Sequence, residues 1–171
     1  LKGFVISGGE ALLSPHLEPL IRKAKKLGYK IKIDTNGTLP LLLDKLIQNP
    51  ELCPDFIAMD VKTSLKKINI LMPFCDKPEQ IEKMQEAIKE SIKILSKFPA
   101  EKREFRTVLV PPLVNKTDIE EIAQTLPKDA SWQFAQFRNE NCLDSTYNEI
   151  APYIEKEAIE LAAAELGLER D

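Results

Sequence analysis

Only three cysteines occur in the 171 residues, at positions 53, 75 and 142, an odd number at wide spacing that indicates neither a disulfide framework nor a metal knuckle. Charge of one sign is not in excess. Twenty-four Lys and Arg against 27 Asp and Glu leave a net charge of −3 and a pI of about 5.4, so nothing steers the chain towards nucleic acid or an anionic membrane surface. No run approaches the roughly 20 apolar residues of a membrane span, and no signal-peptide pattern is visible. Internal repeats and low-complexity segments are missing too. What is there has the proportions of an ordinary globular protein: 43% hydrophobic, 30% charged and 6% aromatic. The length predicts a single domain over 1–171, and the cysteine usage makes a reducing cytoplasm the default location. Leu1 is followed within three residues by a strand, which predicts that the chain is the C-terminal part of a longer protein.

Helix and strand signals alternate, favouring an α/β architecture with a parallel sheet. Strand Phe4-Val5-Ile6 leads into Ser7-Gly8-Gly9-Glu10, and Ser14 as N-cap with Pro15 at N1 opens a helix that Gly28 closes. Leu17, Leu20, Ile21, Ala24 and Leu27 form its apolar stripe. A strand from Lys30 to Asp34 ends in Thr35-Asn36-Gly37, and a leucine-rich helix runs from Pro40 to before Pro50. The strand Asp55 to Val61 is apolar over Phe56 to Met59, the expectation where both faces of a sheet are covered. Lys62 to Pro78 reads as a long functional loop. After it come a helix from Glu79 to Lys97, a strand from Glu104 to Val110, a helix with a Thr117–Glu120 capping box, a strand from Trp132 to Phe137 and a helix from Ala151 to Leu166. These are five βα units.

In parallel α/β folds the ligand sits beyond the carboxyl ends of the strands. The polar residues collect there: Ser7 to Glu10 after the first strand, Asp34, Thr35 and Asn36 after the second, Asp60 and Lys62 after the third, Arg138 and Asn139 after the fifth. Two glycines let the backbone approach a ligand, and Glu10 adds an acid at the lip, a combination suited to an ammonium group rather than a phosphate. Asp60 and Lys62 point the same way, and either Lys62 or a bound metal ion supplies the charge that Asp60 needs. His16, at the start of a helix, reads as a solvent-facing imidazole.

Taken in order, Gly8-Gly9-Glu10, Asp34-Thr35-Asn36-Gly37, Met59-Asp60-Val61-Lys62, Phe105-Arg106-Thr107-Val108-Leu109-Val110-Pro111 and Gln136-Phe137-Arg138 resemble the radical S-adenosylmethionine enzymes. Within them the likeness is to the oxidoreductases that install a glycyl radical on anaerobic ribonucleotide reductase or pyruvate formate-lyase, with the last two segments favouring the ribonucleotide reductase branch. The resemblance implies a partial (β/α)6 TIM-like barrel, of which this chain holds the second to sixth units. It implies that Ser7, Gly8, Gly9 and Glu10 hold the methionine amino group of S-adenosylmethionine, that Asp34, Thr35 and Asp60 hold a monovalent cation beside the methionine carboxylate, and that Asn36 belongs to the same rim. Lys62 would approach that carboxylate and Arg138 the ribose. Arg106 would face either the barrel interior, near cosubstrate or peptide, or the surface. Ala11 stands where the family usually has proline.

The implied partners are a glycyl-radical enzyme and a flavodoxin or ferredoxin as electron donor, in an anaerobic cytoplasm. The family's [4Fe-4S] cluster needs three cysteines spaced Cys-x3-Cys-x2-Cys, and Cys53, Cys75 and Cys142 offer no such run. The cluster ligands are expected outside this chain, which alone should generate no radical. Three alternatives stand beside this reading: a non-catalytic docking module of barrel fold, a radical enzyme of another subgroup, and an unrelated βα enzyme for a phosphorylated substrate. Glu10 would repel that phosphate.

Overall fold

The computed structural model describes residues 2–75 and 77–164. Five strands, β1 (Gly3–Ile6), β2 (Lys30–Thr35), β3 (Phe56–Asp60), β4 (Arg103–Leu109) and β5 (Trp132–Gln136), form one sheet in sequence order. Every neighbouring pair is parallel, with Ile6 opposite Ile33, Asp34 opposite Ala58, Asp60 opposite Arg106 and Phe105 opposite Trp132. Between and after them lie α1 (Leu17–Lys26), α2 (Pro40–Gln48), α3 (Pro78–Ser96), α4 (Lys116–Thr125) and α5 (Glu155–Ala164). Because crossovers between parallel strands are right-handed, an unreversed strand order puts every helix on one face. The outcome is the expected five-unit partial barrel, open at its edges.

That topology corrects the expectation of a sheet covered on both faces. Ile31, Ile33, Ile57, Met59, Phe105, Leu109 and Trp132 point to the helices and share one core with Ile21, Leu43, Ile92, Leu95, Ile119 and Ile122. The other face carries Val5, Lys32, Asp34, Asp60, Glu104, Arg106 and Val108, all half-buried or exposed. The period of two along each strand separates an apolar convex side from a charged concave one. Ala58 is the small residue in the middle of the charged side and is itself buried.

Helix boundaries moved for local reasons. α1 starts at Leu17, not at Ser14-Pro15: residues Ala11–Leu13 make a 3-10 turn that Ser14 ends, and His16 is the N-cap. Gly28, at φ +78, closes α1 as expected, with Gly28 N–H donating to the Lys25 carbonyl and Tyr29 N–H to that of Ala24. Leu17, Ile21 and Ala24 are buried, whereas Leu20 and Leu27 are 42% and 63% exposed, so the apolar stripe is narrower than its sequence. The capping box of α4 is Asn115 with Asp118, not Thr117 with Glu120. Asp118 N–H donates to Asn115 Oδ1 at 3.1 Å and Asn115 N–H donates to Asp118 Oδ2 at 2.9 Å. Ile119, Ile122, Ala123 and Leu126 are buried as their spacing predicts. The 62–78 segment is not structureless, since Leu65–Leu71 is a 3-10 helix. Of the last helix, Glu155–Ala164 is described and Leu166 lies outside the described residues.

Candidate functional site

Parallel pairing brings the carboxyl ends of all five strands to one pole. Ser7, Gly8 and Gly9 follow β1 and are exposed. Gly8 and Gly9 have φ +106 and +52, the left-handed side that glycine tolerates. Nothing lies within 4 Å of where a Cβ would stand on either, so their peptide groups border open space.

Glu10 turns from this lip towards β2. Its Oε1 accepts from Leu12 N–H at 3.1 Å and from the Thr35 hydroxyl at 3.0 Å, and its Oε2 accepts from Asn36 N–H at 2.7 Å. A carboxylate has about four acceptor sites, so the three bonds leave one on Oε2. Thr35 is 3% exposed and faces the helices. Asn36 Oδ1 accepts from Thr38 N–H at 3.0 Å and from the Thr38 hydroxyl at 2.7 Å, an Asx turn. The Gly37 carbonyl accepts from the buried Ser91 hydroxyl at 2.7 Å, tying this turn to α3.

Asp34, Asp60, Lys62 and Arg106 form one charged group on the concave face. Arg106 Nε and Nη2 lie 2.9 Å and 2.8 Å from Asp60 Oδ1, Arg106 Nη1 lies 3.3 Å from Asp34 Oδ1, and Lys62 Nζ donates to Asp60 Oδ2 at 3.3 Å. Burial works against the Arg106 charge, but Asp60 and then Asp34 outweigh it and hold the guanidinium above its usual range. A second pair crosses the same face: Lys32 Nζ stands 2.6 Å from Glu104 Oε1 and 5.2 Å from the centre of the Phe56 ring. Ala58 separates Asp34 from Glu104 in the register, and its short side chain leaves room for both pairs to span β3.

Buried hydroxyls fix the pole in place. Thr107 donates to the Val61 carbonyl at 2.7 Å and accepts from Trp132 Nε1 at 3.0 Å. Thr63 donates to the Leu113 carbonyl, and Ser64 donates to Asp118 Oδ1 at 2.7 Å. Satisfied buried networks of this kind hold loops rigidly. Two hollows flank β3 and share Asp60, Lys62 and Leu71. The larger, about 320 Å³, runs under the 3-10 helix to Ile68, Met84 and Ile88; the smaller, about 210 Å³, reaches Arg106 and Val108.

Of the residues singled out by sequence, Glu10, Thr35 and Asn36 meet directly, Lys62 meets Asp60, and Asp34 joins Asp60 through Arg106. Arg138 and Asn139 stand at the same pole but at the far edge of the sheet, around a recess with Gln136 and Glu140 that shares no lining residue with the two hollows. The Lys32–Glu104 pair escaped the sequence reading. Its signal was the period-two placement of Lys32 and Asp34 in β2 and of Glu104 and Arg106 in β4, polar side chains alternating with buried ones.

The cysteines lie in three separate places: Cys53 between α2 and β3, Cys75 before α3 and Cys142 after β5. Among the described residues no group of three His, Cys, Asp or Glu side chains is placed to hold a metal ion. None of the described helices is long and apolar enough to cross a membrane.

Comparison with known proteins follows the same lines. A glycyl-radical enzyme activating enzyme of Methanocaldococcus jannaschii is 32% identical over 158 residues, which are 92% of this chain and 63% of that protein; the chain thus spans less than two thirds of the curated relative it matches. The crystal structure of archaeal TYW1 superposes with a TM-score of 0.63 at 19% identity, covering 94% of this chain and 48% of that one. A structure of TYW1 with a lysine-pyruvate adduct bound gives 0.69 at 18%, covering 96% and 49%. At such identity these two show the shared fold. Residues 1–126 match the model of the radical SAM superfamily, and the chain belongs to that superfamily.

Proposed function

We propose that this chain is the S-adenosylmethionine-binding part of an oxidoreductase that activates a glycyl-radical enzyme. The observation that carries the reading is the 32% identity to the M. jannaschii activating enzyme over 158 residues, 92% of this chain. A partner of the anaerobic ribonucleotide reductase or pyruvate formate-lyase type fits this reading, as does a flavodoxin or ferredoxin donor in the cytoplasm.

The residues fit S-adenosylmethionine. Open space over Gly8 and Gly9 leaves peptide groups free to meet the amino acid end, and Glu10 keeps one acceptor site for its ammonium. Ser7 closes the lip, and Asn36 borders the larger hollow. Lys62 is half-exposed beside Asp60 and would pair with the ligand carboxylate. Arg138, exposed at the far edge of the sheet, would hold the ribose. S-adenosylmethionine, when cleaved reductively, supplies the carbon-centred radical that takes a hydrogen atom from a partner glycine. The described residues offer no ligand set for the iron-sulfur cluster that chemistry requires, and the part played by this chain is to bind and orient the cosubstrate.

Calorimetric titration of the full-length, cluster-bearing protein with S-adenosylmethionine tests the reading. One saturable site is expected, with affinity lowered about tenfold or more in E10Q, the loss of one charge-assisted bond. Absence of saturable binding would falsify the rim assignment. Binding unchanged in E10Q would move the ligand away from Glu10.

A further inference from the structure

The resemblance assigns a monovalent cation to Asp34, Thr35 and Asp60, and the residues present do not fit one. Thr35 points to the helix side, where its hydroxyl donates to Glu10 Oε1 and accepts from Gly37 N–H at 3.2 Å, while Asp34, its neighbour in β2, points to the concave side. The two carboxylates that do face one another already enclose a guanidinium, 2.8 Å from Asp60 Oδ1 and 3.3 Å from Asp34 Oδ1. Lys62 Nζ adds a second positive charge at 3.3 Å from Asp60 Oδ2. Two negative and two positive groups leave no net negative charge to attract an ion. Asp34 Oδ1 is buried and accepts no hydrogen bond, so the nearby guanidinium is what offsets the burial of this carboxylate.

We propose that Arg106 is a built-in counter-ion, a positioning residue that takes the place of a monovalent metal ion and sets the separation of Asp34 and Asp60 across β3. The inference concerns groups of this chain alone and stands whether or not the proposed function does. It implies that the protein is indifferent to which alkali cation surrounds it, and that removing Arg106 exposes a pair of carboxylates able to bind one.

The test is the thermal midpoint of the chain in potassium, sodium and choline chloride at matched ionic strength, choline being too large for such a site. The wild-type midpoint is expected to be the same in all three. R106Q should unfold at lower temperature in choline and recover by about 2–4 °C in potassium or sodium. R106K should remain indifferent to the cation, because its ammonium restores the charge, and D34N in the R106Q background should abolish the recovery. A merely structural arginine would lower the midpoint of R106Q equally in every salt, and that result overturns the proposal. So does a saturable, potassium- or sodium-specific rise in the wild type that D60N removes, an outcome readable even if R106Q does not fold.

Discussion

Gly37 is a position where backbone and packing both exclude a side chain. Its φ is +74, and a Cβ would stand 2.0 Å from Met59 Cε, on a side chain that is fully buried beneath the β2 turn. The methionine end is flexible and can yield, so most of the penalty is the left-handed backbone, about 1–2 kcal/mol. G37A should therefore melt several degrees below wild type, at roughly 2–4 °C per kcal/mol for a domain of this size; an unchanged midpoint would show that the turn is not held as described. Gly8 and Gly9 differ, because their surroundings are open and a substitution there meets only backbone strain. At this scale much of the site could be read from the sequence: a Gly-Gly-Glu lip and a Thr-Asn-Gly turn at strand ends are visible without coordinates. The two hydrogen bonds that Glu10 accepts from Thr35 and Asn36 could not be read, because they join residues 25 and 26 positions apart through a register that only the folded sheet defines. Arg106 was ambiguous for the same reason: its side of β4 depends on which face the helices cover.

Among the elements, two carboxylates of α4 join it to the 3-10 helix Leu65–Leu71: Glu121 meets Lys66 at the surface, and Asp118 is the buried one. Asp118 caps α4, accepts from Ser64 at 2.7 Å and lies 2.6 Å from Lys67 Nζ. Burial would raise its pKa, yet the bonds from Lys67, Ser64 and the Asn115 backbone together hold it below the ordinary aspartate range. A carboxyl with a depressed pKa in the folded state stabilises the fold above its unfolded value, about 4, and the contribution is lost as pH falls through the folded value. Wild-type thermal midpoints should accordingly fall below pH 4, and D118N, lower at neutral pH, should show a shallower fall over the same range; parallel curves for the two proteins would contradict the assignment. Periodicity found the five strands and the five α-helices, missed the 3-10 helices among the described residues, and misplaced the starts of α1, α4 and α5, the last expected at Ala151 and found at Glu155. Ser14-Pro15 and Thr117–Glu120 are sound capping sequences, but the chain uses the 3-10 turn and the Asn115–Asp118 pair instead. Such competition between adjacent caps is decided by tertiary partners, here Ser64 and Lys67.

For the molecule as a whole, the sequential parallel order is what makes a charged face. All helices lie on one side, so the concave side is free to carry Lys32, Asp34, Asp60, Glu104 and Arg106, and buried hydroxyls at the carboxyl pole hold the surrounding loops. A parallel sheet covered on both faces would have had no place for these charges. Strand Phe56–Met59 suggested such a sheet because Ala58 is buried and Phe56 lies under the Lys32 cation, so apolar residues occupy the charged face as well as the core face. The central claim is that the ligand binds at the carboxyl pole of this sheet, against Gly8, Gly9, Glu10 and Asn36. The most direct measurement is a titration of the isotope-labelled chain with S-adenosylmethionine, followed by amide chemical shifts. Saturable shifts confined to residues 7–10, 34–38, 60–63 and 136–139 are predicted, with the opposite pole at Lys30, Asp55 and Lys102 unmoved; shifts centred on that opposite pole, or none up to millimolar ligand, would contradict it.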